Sequence, residues 1–287
     1  MSRYREIVTP AVVATHVDDP SWVVLDCRFT LSAPEDGALA YAEGHLPGAR
    51  YADLERDLSG PRDGRSGRHP LPGPAAFAET LRAWGVGPGT QVVAYDEGSS
   101  VYASRLWWLM RGWWGHEAVA VLDGGLTAWI AEGRPLTTEV PKVSPGAPYP
   151  RPSRAEGAWL DTGAVEAVVS GADARLLVDA RGAPRFRGTT EPLDPVAGHI
   201  PGARNRPFEG NLRPDRTFRP PAELRSEFLA LLDGRPAGDI VHYCGSGVSA
   251  CHNILAMAVA GFGVTTLYPG SWSAWVSDAR RPVATGD

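Results

Sequence analysis

Lysine is nearly missing from this chain. Of its 28 basic residues only Lys142 is lysine, and the others are arginine. With 33 glycines and 26 prolines alongside, that bias points to a GC-rich genome and says little about function. Excess positive charge is missing too. A net charge of −5 leaves no basic field to gather nucleic acid or an anionic membrane surface, so neither is expected as a partner. Cysteine is scarce: Cys27, Cys244 and Cys251 are too few, and odd in number, for a disulfide framework, which fits a reducing compartment. The most apolar run, residues 254–264, is too short to span a bilayer and carries two glycines. The first ten residues hold no apolar stretch of the secretory kind. These absences predict a soluble, cytoplasmic protein. The seven histidines are scattered and the two C-terminal cysteines lack zinc spacing, so no metal is expected. No glycine cluster completes a phosphate-binding signature, and no cofactor is expected.

What is present is a unit written twice. Val23-Val24-Leu25-Asp26-Cys27-Arg28 precedes Gly44-His45-Leu46-Pro47-Gly48-Ala49, and Leu176-Leu177-Val178-Asp179-Ala180-Arg181 precedes Gly198-His199-Ile200-Pro201-Gly202-Ala203. The aspartate-to-histidine separations are 19 and 20 residues. Downstream, Gln91-Val92-Val93-Ala94-Tyr95-Asp96 matches Asp239-Ile240-Val241-His242-Tyr243-Cys244, and the segments 122–129 and 268–275 match in turn. Four blocks in one order imply internal duplication.

Within each copy, short apolar runs at 23–26, 92–95, 119–122 and 176–179 read as buried parallel strands. Helical patterns lie between them at 75–84, 102–111 and 222–232, and a last helix is expected to begin at 273–276. The alternation predicts an α/β fold with two tandem domains, each a mainly parallel sheet flanked by helices. Six prolines in residues 135–154 mark a boundary. The expected division is a domain over 1–138, a proline-rich linker over 139–156 and a second domain over 157–287.

The chemistry concentrates where the strand ending at Tyr243 meets Cys244-Gly245-Ser246-Gly247-Val248-Ser249-Ala250 and a helix. Two glycines near a cysteine at such a junction permit a tight loop with inward-turned backbone N–H groups, to which the helix adds its positive end. Both features favour thiolate over thiol and suit covalent group transfer. An intracellular cysteine is commonly a small packing residue instead. The position at the carboxyl end of a parallel strand argues for function at Cys244, whereas Cys27 in a strand and Cys251 within the helix read as packing. His45 and His199 recur in both copies, as do the pairs Asp26/Arg28 and Asp179/Arg181, and read as framework.

These blocks, over nearly the whole chain, resemble the tandem rhodanese family of sulfurtransferases. The resemblance implies a catalytic C-terminal domain and an N-terminal domain without its cysteine, in keeping with Asp96 at the position of Cys244. It implies two steps: a small-molecule donor delivers sulfur to Cys244, giving a persulfide, and a thiol or cyanide acceptor removes it, with a thioredoxin-like protein among the candidate acceptors. The Cys-Gly-Ser-Gly-Val-Ser loop resembles the 3-mercaptopyruvate type; the thiosulfate type carries basic residues where Gly245, Ser246 and Gly247 stand. Arg185-Phe186-Arg187-Gly188-Thr189 resembles the family's substrate segment, implying that Arg185 binds the donor carboxylate with Arg187 nearby. Loop residues Gly245 to Ser249, Val248 included, would line the donor site, with Ser246 and Ser249 as hydroxyl donors. Glu55 and His69 fall in segments that face the active site in the family. One departure stands out: where 3-mercaptopyruvate enzymes often place a further arginine after Glu-Pro, this chain has Leu193-Asp194-Pro195 after Glu191-Pro192.

Other readings remain. Thiosulfate is the alternative donor, and a persulfide carrier without turnover is another. A cysteine phosphatase would need Cys-x5-Arg to clamp phosphate, and the arginine position holds Ala250.

Overall fold

The computed structural model describes residues 3–149 and 157–287. Residues 150–156 of the expected linker lie outside them. The chain divides into two compact units: residues 1–60, 72–155 and 213–218 form the first, and residues 61–71, 156–212 and 219–287 the second. Each copy thus lends a short segment to the other unit, an exchange that the repeat pattern does not reveal.

The first unit holds five parallel strands, β1 (Ile7–Val8), β2 (Trp22–Asp26), β3 (Arg50–Tyr51), β4 (Gln91–Tyr95) and β5 (Val119–Leu122), in the order β1-β5-β4-β2-β3. The second holds β6 (Leu176–Asp179), β7 (Arg204–Asn205), β8 (Ile240–Tyr243) and β9 (Thr266–Leu267), also parallel, in the order β7-β6-β8-β9. The central strands of each unit are buried end to end, as near-continuous apolar runs require when helices cover both faces. Helices Pro74–Ala83 and Pro221–Leu232 begin on proline, whose fixed φ and missing N–H suit a first turn. The helix expected over 102–111 runs from Val101 to Trp108 and then widens into π turns over Leu109–Trp114, ending at Gly115 with φ 81°. The wide turns bury Trp113 and Trp114 around Phe77. The final helix starts two residues early, at Ser271.

The duplication extends to individual hydrogen bonds. Arg28 Nη2 donates to Asp26 at 2.7 Å and to the Gly44 carbonyl at 2.7 Å; Arg181 Nη2 does the same to Asp179 and Gly198 at the same distances. Tyr95 and Tyr243 each accept, through the phenolic oxygen, the amide of the residue after the Gly-His pair, at 3.2 Å. His45 and His199 stack on Tyr41 and Phe186 and hydrogen-bond main-chain carbonyls, which makes them pins across a turn. These pairs are buried, and they hold strand ends to the following loop. Among the described residues, no helix is long and apolar enough to cross a membrane.

Candidate functional site

β8 delivers Cys244 to the carboxyl edge of its sheet, and the helix Ser249–Val259 leaves from the loop that follows. The loop is held from one side. Trp272 and Ser273 donate their amides to the carbonyls of Cys244 (2.9 Å) and Gly245 (3.0 Å). Ser271 Oγ accepts the Cys244 amide at 3.1 Å and donates to the Tyr268 carbonyl at 2.9 Å. Ser271 makes these bonds from a left-handed backbone, φ 53°, a strained conformation for serine. Gly247 also has positive φ, 76°, and a Cβ there would lie 2.4 Å from the Pro269 carbonyl oxygen. With the Cys244 and Gly245 carbonyls taken by those amides, the first-turn N–H groups of the helix, which lack intrahelical partners, are the donors the loop can offer an anion.

Around Cys244 the side chains come from three segments of this unit. Ser246 Oγ lies 2.8 Å from His69 Nδ1, both groups buried. His69 reaches the loop because residues 61–71 belong to this unit. Arg185, in the short helix Ala183–Phe186, forms a bidentate pair with Glu191, Nη2 to Oε1 at 2.7 Å and Nε to Oε2 at 3.1 Å. Glu191 also accepts from Arg181 at 3.1 Å. Burial opposes ionisation of Glu191, but the Arg185 hydrogen bond and the Leu193 amide outweigh it and hold its carboxyl below the usual value. A Cβ on Gly245 would lie 3.5 Å from both Arg185 Nη atoms and 2.8 Å from Arg68 Nη2, so two guanidinium groups converge over the residue after Cys244. Glycine at that position is what leaves them room.

Of the residues singled out from sequence, Cys244, Gly245, Ser246, Gly247, Val248, Ser249, Arg185 and His69 are brought together. Arg187 is not: its guanidinium is exposed and paired with Asp287. Glu55 belongs to the first unit, exposed, with its amide on the Asp53 carboxylate. Cys27 is buried, and burial, reinforced by Asp26 and Asp96, pushes its thiol well above the usual value, in keeping with a packing residue. Cys251 Sγ bonds the Gly247 carbonyl at 3.3 Å. Arg68 and Ser271 escaped sequence reasoning. Ser271 sits in the repeated 268–275 block, but its conformation has no signature in residue type. Among the described residues, no cluster of three metal-ligating side chains occurs.

Two parallel-sheet units, one with a cysteine at its strand-to-helix turn, define a two-domain α/β architecture. The family model described as Rhodanese-like domain matches residues 9–132 and again 164–278. A Pseudomonas aeruginosa protein named "Probable 3-mercaptopyruvate sulfurtransferase" is 49% identical over 283 residues, 98% of this chain and 99% of that one. The thiosulfate sulfurtransferase of Bos taurus is 34% identical over 287 residues, 95% of this chain and 92% of that one. The solved 3-mercaptopyruvate sulfurtransferase from Leishmania major superposes with a TM-score of 0.84 at 30% identity, covering 97% of this chain and 76% of that one. The chain belongs to the rhodanese family and is a sulfurtransferase.

Proposed function

We propose that the protein moves a sulfur atom from 3-mercaptopyruvate to a thiol or cyanide through a persulfide on Cys244. The observation that carries this reading is the uncharged loop around Cys244, with Arg185 over Gly245 and the Ser246–His69 pair beside it. In the first step the Cys244 thiolate attacks the donor sulfur. The carbon–sulfur bond breaks and its electron pair passes to carbon as an enolate, which takes up the proton from the donor thiol and leaves as pyruvate. Arg185 holds the donor carboxylate, and loop N–H groups hold the new terminal sulfur anion. Ser246, its hydroxyl oriented by His69, donates to the developing enolate oxygen or relays the proton. In the second step a thiolate or cyanide attacks the terminal sulfur and Cys244 leaves as thiolate, which closes the cycle. Ser249, the first residue of the helix after the loop, is a second hydroxyl for the donor.

The acceptor includes a thioredoxin-like protein, the compartment is the cytoplasm, and the domains divide at 1–138, 139–156 and 157–287, in keeping with the few cysteines and the proline-rich stretch. The test compares 3-mercaptopyruvate with thiosulfate under one acceptor. The expected kcat/KM favours 3-mercaptopyruvate, Cys244→Ser loses all turnover while keeping its circular dichroism, and Arg185→Ala raises the donor KM roughly ten- to a hundredfold, the worth of a charged hydrogen bond. Turnover by Cys244→Ser would refute the persulfide, and a reversed donor ranking would refute the donor.

A further inference from the structure

The sequence has Leu193-Asp194-Pro195 where a second donor-binding cation would be expected, and the structure shows a guanidinium arriving there from elsewhere. Arg68, carried by the 61–71 segment, places Nη2 within 2.8 Å of where a Gly245 Cβ would be. Its amide donates to Ser273 Oγ at 3.1 Å. Gly67 before it passes so close to Gly270 that a Cβ on Gly67 would lie 2.6 Å from the Gly270 carbonyl oxygen, which seats the segment against the start of the last helix. Arg68 Nη1 is paired with Asp194 Oδ1, while Asp194 Oδ2 takes Arg185 Nη2 at 3.3 Å. Asp194 therefore bridges the two guanidinium groups over the loop. Its carboxylate is 3% exposed, and Arg68 Nε is buried without a hydrogen-bond partner.

We propose that Arg68 is a second donor-binding residue acting with Arg185 across Gly245, and that Asp194, by neutralising positive charge between them, selects a donor with a single negative charge over a dianion. The wider network agrees. Arg68, Arg181 and Arg185 face Asp179, Glu191 and Asp194, so three cations meet three carboxylates before any donor enters. A monoanion adds one uncompensated charge to that set and thiosulfate adds two, in a buried site where charge is weakly screened. Burial, partly offset by Arg68 and reinforced by Glu191, pushes the Asp194 carboxyl up; a donor anion beside it opposes the carboxylate further, and a dianion more than a monoanion.

This inference rests on the sulfur-transfer reading and deepens it. The test measures donor KM, acceptor KM and the ratio of kcat/KM for thiosulfate to that for 3-mercaptopyruvate, with cyanide as acceptor. Asp194→Asn, which keeps the shape and loses the charge, is expected to raise that ratio about tenfold. Arg68→Gln is expected to raise the donor KM about tenfold with the cyanide KM unchanged, and Arg68→Lys to restore most of it. A role limited to seating His69 would lower kcat and leave the donor KM alone, and lysine would not rescue it. If Arg185→Ala raises the donor KM while Arg68→Gln does not, and Asp194→Asn leaves the ratio unchanged, the inference fails and the sulfur-transfer reading stands. If Cys244→Ser still turns over, both fall. Should Arg68→Gln fail to fold, the near-isosteric Asp194→Asn carries the decision through the ratio.

Discussion

At the end of β4 the Asp96 carboxylate accepts the amides of Gly98 (2.9 Å), Ser100 (2.8 Å) and Tyr102 (3.0 Å). At the end of β8 the matching residue is Cys244, and the matching loop has no carboxylate of its own. The scaffolds are otherwise alike: Leu126 and Thr127 donate to the carbonyls of Asp96 and Glu97 at 2.9 and 3.1 Å, as Trp272 and Ser273 do to Cys244 and Gly245. One copy fills its loop with an internal carboxylate, and the other has a cysteine and no carboxylate in that place. Asp96 is buried, and burial pushes its carboxyl up despite the amides it accepts. A cradle able to hold a fully buried carboxylate in one copy supports its use for a sulfur anion in the other. The hinge of the difference is small. Gly125 has φ 58° where Ser271 has φ 53°, and only the serine offers a hydroxyl to the strand-end amide.

That comparison can be broken most sharply at Gly247. Gly247→Ala would press a Cβ against the Pro269 backbone at positive φ, and is expected to cost about 3 kcal/mol and to end persulfide formation. Ser99→Ala, at the corresponding place after β4, should leave urea midpoints nearly unchanged; equal effects would show that the two loops are not built differently.

A middle-sized effect is expected at His242, whose counterpart in the first copy is Ala94. Full burial holds the His242 imidazole neutral and lowers its pKa from 6.5 to about 3. A depressed folded value means its contribution to stability is complete above the unfolded pKa of 6.5 and is lost as pH falls from there toward 3. Acid denaturation of the second unit should therefore steepen by up to about 1.4 kcal/mol per pH unit in that window, and His242→Leu should flatten it. A slope unchanged by the substitution would assign the acid limb to carboxylates.

The smallest effect is expected at Asp96. Asp96→Asn turns an NH2 toward amides that now donate to oxygen but also removes a buried charge, so the net loss should be about 1 kcal/mol in urea. Sulfur transfer should be unaffected, and a matching loss of kcat would make the first copy a participant in the chemistry.

Much of the fold was readable because buried parallel strands leave plain signatures. The runs at 119–122 and 176–179 became β5 and β6 unchanged, and those at 23–26 and 92–95 became β2 and β4 with one residue added. The two-residue strands β1, β3, β7 and β9 carry too few side chains to form a pattern. At the site, Cys244 and its glycines could be read from local backbone demands, and Arg185 and His69 from family motifs. Arg187 matched the motif equally well yet turns to Asp287, since a motif records neighbours in sequence and not the direction of a long side chain.

By itself the sequence determined the duplication, the strand-to-helix turn at Cys244 and the loss of its counterpart at Asp96, because those depend on residue types and short-range geometry. Only the tertiary structure decided which charges surround that turn. Arg68 and Asp194 are 126 residues apart in the chain. They meet because the 61–71 segment packs with the second unit, and no local pattern encodes where a segment from the other half of the chain will pack.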